Sequence, residues 1–265
     1  MQPSIYFAHG GGPCFFMDPP PEEPTRWVGM EAYLKSLPKL LPQKPDALLV
    51  ISAHWEMPRP TVLMGERHEL LYDYSGFPPH TYRLTYPAPG APKLGTKVRK
   101  LLGEAGIESS EETARGYDHG IFIPLKVAFP DADIPILQLS LQSGLDPARH
   151  IAIGKALESV RAENIPIVGS GLSFHNLRAL GDPRYDQPAR DFDRWLTETL
   201  CEVSPVEREQ RLKQWDLAPS ARLCHPREEH FLPLMVAVGA ASQAQGKQTY
   251  SGTIWGKAVS AYHFQ

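Results

Sequence analysis

Ala47-Leu48-Leu49-Val50-Ile51-Ser52-Ala53-His54-Trp55 is the stretch that decides the fold. From 47 to 51 it is unbroken apolar sequence, without the in-out alternation of a strand that has one wet face. A continuous apolar run of this length belongs to a strand covered on both sides, as in a parallel sheet sandwiched by helices. Its polar end, from Ser52 to His54, marks where such a strand reaches the rim of the sheet. A histidine in that position has to find a partner, because an unsatisfied polar group near a core is costly.

Working outward, further short apolar runs predict strands at Ser4–Ala8, 61–64, 134–141, 165–170 and 257–263, beside 47–53 itself. Longer stretches with helical periodicity predict helices at 27–41, 92–105, 121–128, 147–163, 188–201 and 227–239. Strands alternating with helices indicate an α/β protein, with a largely parallel central sheet flanked by helices. No linker, low-complexity segment or internal repeat divides the chain, so residues 1–265 read as a single domain. In open α/β sheets ligands sit beyond the carboxyl ends of the strands. His9 follows the first strand, His54 ends the second, and His175 follows 165–170 through Gly169-Ser170-Gly171. All three are therefore expected on one edge of the sheet.

Five histidines stand in short, glycine- or aromatic-framed contexts: His9, His54, His119, His175 and His230. Imidazole is the commonest transition-metal ligand and the commonest general acid/base near neutral pH. His9 precedes Gly10-Gly11-Gly12, which lets backbone approach a ligand closely. His119 follows Asp118, which is expected to cap a helix from Ile121 and so leave the imidazole neutral at the helix's positive end. His175 follows the Gly-Ser-Gly turn, whose serine stands at the wrong offset for a nucleophile elbow. His230 follows Glu228-Glu229, equally readable as a solvated first turn of a helix. The remaining histidines, His68, His80, His150, His225 and His263, read as surface residues. The H-E-x-x-H zinc-protease motif is absent from the chain.

Composition closes off other classes. The formal net charge of −3 offers no basic footprint for nucleic acid. No run of about 18 apolar residues predicts a membrane-spanning helix, and the start of the chain lacks the pattern of a signal peptide. Three cysteines without paired spacing suit a reducing compartment, so a cytoplasmic protein is expected. Proline is abundant, 27 residues clustered at 19–21, 78–79 and 87–92, which implies ordered but irregular loops able to form pocket walls.

Seven segments together resemble the class III extradiol ring-cleavage dioxygenases, in particular the DOPA dioxygenase-like branch of the LigB superfamily. They are Ala8-His9-Gly10, Val50-Ile51-Ser52-Ala53-His54-Trp55, the proline-rich 86–92, Tyr117-Asp118-His119-Gly120, 130–140, Phe174-His175-Asn176-Leu177-Arg178 and Glu229-His230-Phe231-Leu232-Pro233-Leu234. The resemblance implies a single α/β domain in which His9, His54 and His230 hold one divalent metal, Fe(II) or Zn(II), with no organic cofactor. Related branches use a carboxylate as third ligand, so Glu229 competes with His230. His175 would be the acid/base beside the metal and a possible further ligand. His119 would line the dioxygen and substrate side. Gly10, Gly11, Phe15, Trp55 and Tyr117 are expected in the substrate pocket.

The reaction implied is insertion of O2 into a catechol with cleavage next to the diol, giving a semialdehyde. The expected partners are a small catechol and O2, for a monomer or small homo-oligomer. Two other readings compete: a zinc hydrolase with Glu229 as base, and a metal-binding homologue that has lost ring cleavage through the altered loop at 12–16.

Overall fold

The computed structural model describes residues 1–265 and builds one eight-stranded sheet. Its strands are β1 (Ser4–Ala8), β2 (Leu48–Met57), β3 (Thr61–Leu63), β4 (Ser110–Glu112), β5 (Ile136–Gln142), β6 (Ile167–Gly171), β7 (Gly246–Ile254) and β8 (Lys257–Phe264). The order across the sheet is β4-β3-β5-β2-β6-β1-β8-β7. The four central strands β5, β2, β6 and β1 are mutually parallel, as their apolar runs predict. Antiparallel pairings flank them, β3 on β5 at one side and the β8–β7 hairpin on β1 at the other.

The helices are α1 (Val28–Leu40), α2 (Pro92–Glu104), α3 (His119–Ala128), α4 (Pro147–Leu157), α5 (Asp186–Cys201), α6 (Pro205–Lys213), α7 (Ala221–Cys224) and α8 (Leu232–Gly239). Successive residues of β6 show that the sheet is covered on both faces. A Cβ on Gly169 would meet the backbone of Pro233 in α8, whereas the Ser170 hydroxyl reaches the Gly120 carbonyl in α3. Neighbouring strand residues point to opposite faces, so α3 and α8 lie on opposite sides. No helix is long and apolar enough to cross a membrane.

Several boundaries depart from the sequence reading for identifiable reasons. Strand β2 runs past His54 to Met57, but its pairing with β5 breaks register between Ile51 and Glu56. His54 sits inside that irregularity, where a bulged strand can re-aim a side chain. The helix expected over 147–163 ends at Leu157 and tightens into a 3-10 turn, Glu158–Glu163. The helix expected from 227 begins only at Leu232, leaving Glu229 and His230 in a turn before it. Strands β4 and β7 and helices α6 and α7 were absent from the sequence reading. For α6 a signal existed: the Ser204 hydroxyl accepts the Glu207 amide, a cap followed by Pro205 at the first helical position.

Three histidines assigned to the surface are buried: His150, His225 and His263. Each finds at least one polar partner, although His225 Nδ1 has none. His150 Nδ1 bonds the Asp146 carbonyl and its Nε2 accepts the Gln142 amide. His225 Nε2 donates to the Ser173 carbonyl, and His263 Nε2 meets the Tyr33 hydroxyl.

Candidate metal centre

All five framed histidines converge on the carboxyl-end rim of the central strands. His9 and His54 bring their Nε2 atoms to 3.1 Å from one another. The His9 ring centroid lies 5.2 Å from that of His230, and the His54 centroid 4.8 Å from it. One ligand atom from each of His9, His54 and His230 fits within 4.8 Å of the other two. His119 and His175 flank this trio, His119 at 3.9 Å from His54 and His175 at 3.3 Å from His230 between ring centroids.

The backbone holds this arrangement by close approach. The His230 carbonyl accepts both the Leu172 amide and the Tyr6 hydroxyl, at 3.1 and 2.9 Å. A Cβ on Gly171 would stand 2.1 Å from that same carbonyl oxygen, so only glycine lets the turn before α8 dock on the end of β6. The His9 amide in turn donates to the Gly171 carbonyl. The chain after β6 is pinned from α7: the His175 amide donates to the Cys224 carbonyl and the Asn176 amide group to Leu223.

Hydrogen bonds at the Nδ1 atoms set the tautomers. The Ser170 hydroxyl spends its proton on the Gly120 carbonyl, so at 3.0 Å it accepts from His9 Nδ1–H. The Glu229 carboxylate accepts from His230 Nδ1–H at 3.0 Å. Asp73 faces His54 Nδ1 at 3.6 Å. The Ser170 oxygen and the Glu229 carboxylate accept, so in His9 and His230 the proton is on Nδ1 and the Nε2 lone pair is free; Asp73, beyond hydrogen-bond distance, favours the same tautomer of His54 electrostatically. Three lone pairs aimed at one point repel each other unless a cation sits between them. The donor set therefore fits a divalent metal bound through three imidazole nitrogens, two of them oriented by an outer hydrogen bond.

The same two carboxylates serve the flanking histidines. Asp73 Oδ1 accepts from both the amide and Nδ1 of His119, at 2.9 and 2.8 Å. Glu229 Oε1 accepts from His175 Nδ1 at 3.1 Å. Burial alone would raise Asp73 and Glu229, but the hydrogen bond from His119 to the first, and those from His175 and His230 to the second, hold both below the usual carboxylate range. Burial, followed by the neighbouring imidazoles, pushes His9 well below the usual histidine range. Burial does the same to His230 against the opposing pull of Glu229, and brings His54 down to about 4. Neutral imidazoles are what metal ligation requires.

The helix-cap expectation at Asp118 is corrected. Its side chain makes no cap hydrogen bond and turns inward to Ser52, Gln138 and Arg115. Asp73, from a distant loop, takes the His119 amide instead. Asp73 and Ser170 are the site residues the sequence reading missed. Ser170 carried a signal, a hydroxyl at the end of an apolar strand; Asp73 carried none, since its partner lies 46 residues away.

A cavity of about 500 Å³ opens over the histidines and is lined by His9, His54, His119, His175 and His230. Gly10 and Gly11 line it as expected. Phe15, Trp55 and Tyr117 do not. Phe15 stands behind Gly10 and packs edge-on against Trp27. Trp55 is buried under Arg115, and Tyr117 is buried with its hydroxyl on the Ile136 carbonyl. Alternation along β2 explains Trp55: it points to the face opposite His54. Trp27, Phe77, Phe174 and Trp255 supply the aromatic lining instead.

The model of the catalytic LigB subunit of aromatic ring-opening dioxygenases matches residues 3–261. The chain belongs to the LigB family. Dioxygenase tasH of Hapsidospora irregularis is 35% identical over 285 residues, covering 100% of this chain and 86% of that protein. The 4,5-DOPA dioxygenase extradiol of Beta vulgaris is 38% identical, covering 84% of this chain and 83% of its own. The protein of the same name from Escherichia coli K12 is 34% identical, covering 90% and 84%. The crystal structure of an uncharacterized Escherichia coli K12 protein matches at a TM-score of 0.78 with 28% identity, over 100% of both chains. This LigB protein is a ring-cleaving dioxygenase acting on a small molecule and O2.

Proposed function

We propose that this dioxygenase opens the ring of a catechol next to its diol, using Fe(II) held by His9, His54 and His230. The observation that carries the reading is the convergence of three Nε2 lone pairs, with two further imidazoles in the same cavity sharing the same carboxylates. Such a set separates metal ligands from proton carriers within one cluster. Fe(II) is preferred to Zn(II) because transfer of electrons to O2 needs a redox-active ion, which zinc is not. When bound, the metal would be chelated by the diol, lower the pKa of its first hydroxyl and bring O2 beside the ring.

The chain's own residues supply the proton handling. With Nδ1–H donated to Glu229, His175 has its Nε2 lone pair free toward the cavity and can take the proton of a substrate hydroxyl. Glu229 stabilises the imidazolium so formed and keeps the ring from turning. His119, fixed in the same way by Asp73, presents Nε2 as a second acceptor for a hydroxyl or for water. The apolar cavity wall keeps bulk water from the ring carbons. A hydrolase with Glu229 as base is disfavoured, since Glu229 Oε1 is taken by His175 and His230 and Oε2 by Arg227. The three free cysteines fit a reducing, cytoplasmic setting.

The test is metal analysis of the purified protein, then anaerobic Fe(II) loading and oxygen uptake across a catechol panel. A yellow semialdehyde formed with one O2 per catechol is expected. Tightly held zinc, with no oxygen uptake on any catechol after Fe(II) exchange, would overturn the reading.

A further inference from the structure

The turn between β7 and β8 is built from Trp255 and Gly256, between the paired residues Ile254 and Lys257. Both turn residues have positive φ, +48° and +77°. A two-residue turn of this hand strongly favours Asn-Gly or Gly-Gly, and a bulky aromatic in the left-handed region is strained. The chain nevertheless places its largest side-chain type there. Such strain persists only where surrounding contacts hold it, and those are present. The Arg26 guanidinium lies 4.2 Å over the Trp255 ring, Trp27 meets it edge-on at 5.5 Å, and the Lys257 ammonium donates to the Trp255 carbonyl at 2.9 Å.

The topology brings this turn to the site. Strand β8 runs antiparallel to β1, so its first residue, Lys257, stands at the same rim as His9. From the strand that carries His9, β8 and β7 are the next two toward the sheet edge, roughly 10 Å away at the usual strand spacing. The cavity therefore extends from the histidines to Trp255. Its volume of about 500 Å³ lies in the range for drug-sized ligands, more than a single ring with two hydroxyls needs.

The lining toward this end is apolar: Trp27, Leu172, Leu180, Ile254, Trp255 and Val259. Apart from the histidines, the charged residues lining the cavity are Asp18, Arg26 and Lys257. Asp18 is exposed, Arg26 is paired with Glu23, and buried Lys257 is paired with Asp186 at 2.6 Å. A charged arm would lose its water against this wall, where Arg26 and Lys257 are already paired; Asp18, the one unpaired charge in the lining, is exposed, so water screens its pull on an ammonium.

We infer that Trp255 is the specificity-determining residue of this site, and that it selects catechols bearing an uncharged apolar or aryl arm over those whose arm carries an ammonium or carboxylate. The inference rests on the catechol assignment above. A ring stacked or edge-on against Trp255 and Trp27 gains aromatic contact beyond area burial.

Binding is measured by calorimetry under argon, on the purified full chain with the metal it carries. 4-(2-Phenylethyl)catechol is expected to bind at least about tenfold more tightly than L-DOPA. Trp255→Asn should abolish that ratio without lowering the thermal midpoint, because asparagine suits the turn; a merely structural tryptophan would do the reverse. Leu180→Lys, which puts a cation on the apolar wall, should shift preference toward 3,4-dihydroxyphenylacetate. Tighter binding of L-DOPA, or an unchanged ratio in Trp255→Asn, would overturn the proposal. Oxygen uptake on the same compounds reads the other assignment separately. A binding preference without uptake would sink ring cleavage and leave Trp255 as selector, and uptake without preference would do the opposite.

Discussion

His175 and His230 stack with ring centroids 3.3 Å apart and planes 18° apart, and both Nδ1 atoms rest on one oxygen of Glu229. Across the site Asp73 bonds His119 Nδ1 through Oδ1 and faces His54 Nδ1 with Oδ2 at 3.6 Å. Each carboxylate thus stands beside one proposed metal ligand and one proposed proton carrier.

Glu229→Gln should disturb both partners at once. The bonds to His175 and His230 lose their charge assistance, and the amide nitrogen that replaces Oε2 would face Arg227 instead of accepting from it. Metal affinity is expected to fall about 10–100-fold, the usual effect of losing an outer-sphere partner. Competition with a chelator measures it. Unchanged affinity would show that Glu229 does not orient His230.

His175→Ala separates the two roles. If His175 is the proton carrier, turnover falls by about 10²–10⁴-fold while metal content is retained. Metal content by mass spectrometry, read beside oxygen uptake, decides. Loss of the metal would make His175 a ligand, and near-normal turnover would remove it from the mechanism.

Gly171→Ala should destabilise the protein by about 1–3 kcal/mol, as overpacking does, because the new methyl meets the His230 carbonyl. It should also weaken metal binding by displacing His230. Gly103→Ala is the control: it lies inside α2 with nothing within 4 Å of the new Cβ. Alanine there should add about 0.5–1 kcal/mol. Thermal unfolding of both variants, with and without metal, checks the pair.

Acid should destabilise the metal-free protein before any carboxylate titrates. Burial pushes His225 down to about 3 and His263 down to about 4, from an ordinary 6.5. A group whose folded value is depressed binds more protons unfolded. Its contribution is therefore complete above pH 6.5 and is lost as pH falls toward the folded value. Between pH 6.5 and about 4 each group costs about 1.4 kcal/mol per pH unit. Urea midpoints at pH 7.5, 6 and 5 test this; a flat profile contradicts the burial of both imidazoles.

The central sheet and the shared rim of His9, His54 and His175 were legible because the signals are local; His119 was not, since its local signal, a cap by Asp118, is not what holds it. An apolar run such as 47–51 can only be a covered strand or a buried helix segment, and flanking turn residues choose between them. His230 became legible only by resemblance, since Glu228-Glu229-His230 alone reads as a wet helix start. Asp73 was illegible because its role exists only where the loop meets α3. Two of the expected pocket residues miss the cavity for a related reason. Trp55 and Tyr117 adjoin site histidines in sequence, yet neighbours along the chain point to opposite sides. Strand β7 was hidden because an edge strand is mostly polar, and because a tryptophan stands where its turn would ordinarily show asparagine.

The pairing of Ser4 with Phe264 has a consequence for how the protein is made. The strand that delivers His9 is made before every other strand of the sheet, and the strand that covers its flank is made after them all. His230 must also emerge before three imidazoles can meet. A nascent chain therefore holds incomplete fragments of the site until His230 and β8 have emerged, and contacts of such long sequence separation form slowly. A metal at the proposed site is therefore expected to load only once β8 has docked, and a chain lacking 246–264 should fail to retain it however intact its histidines are.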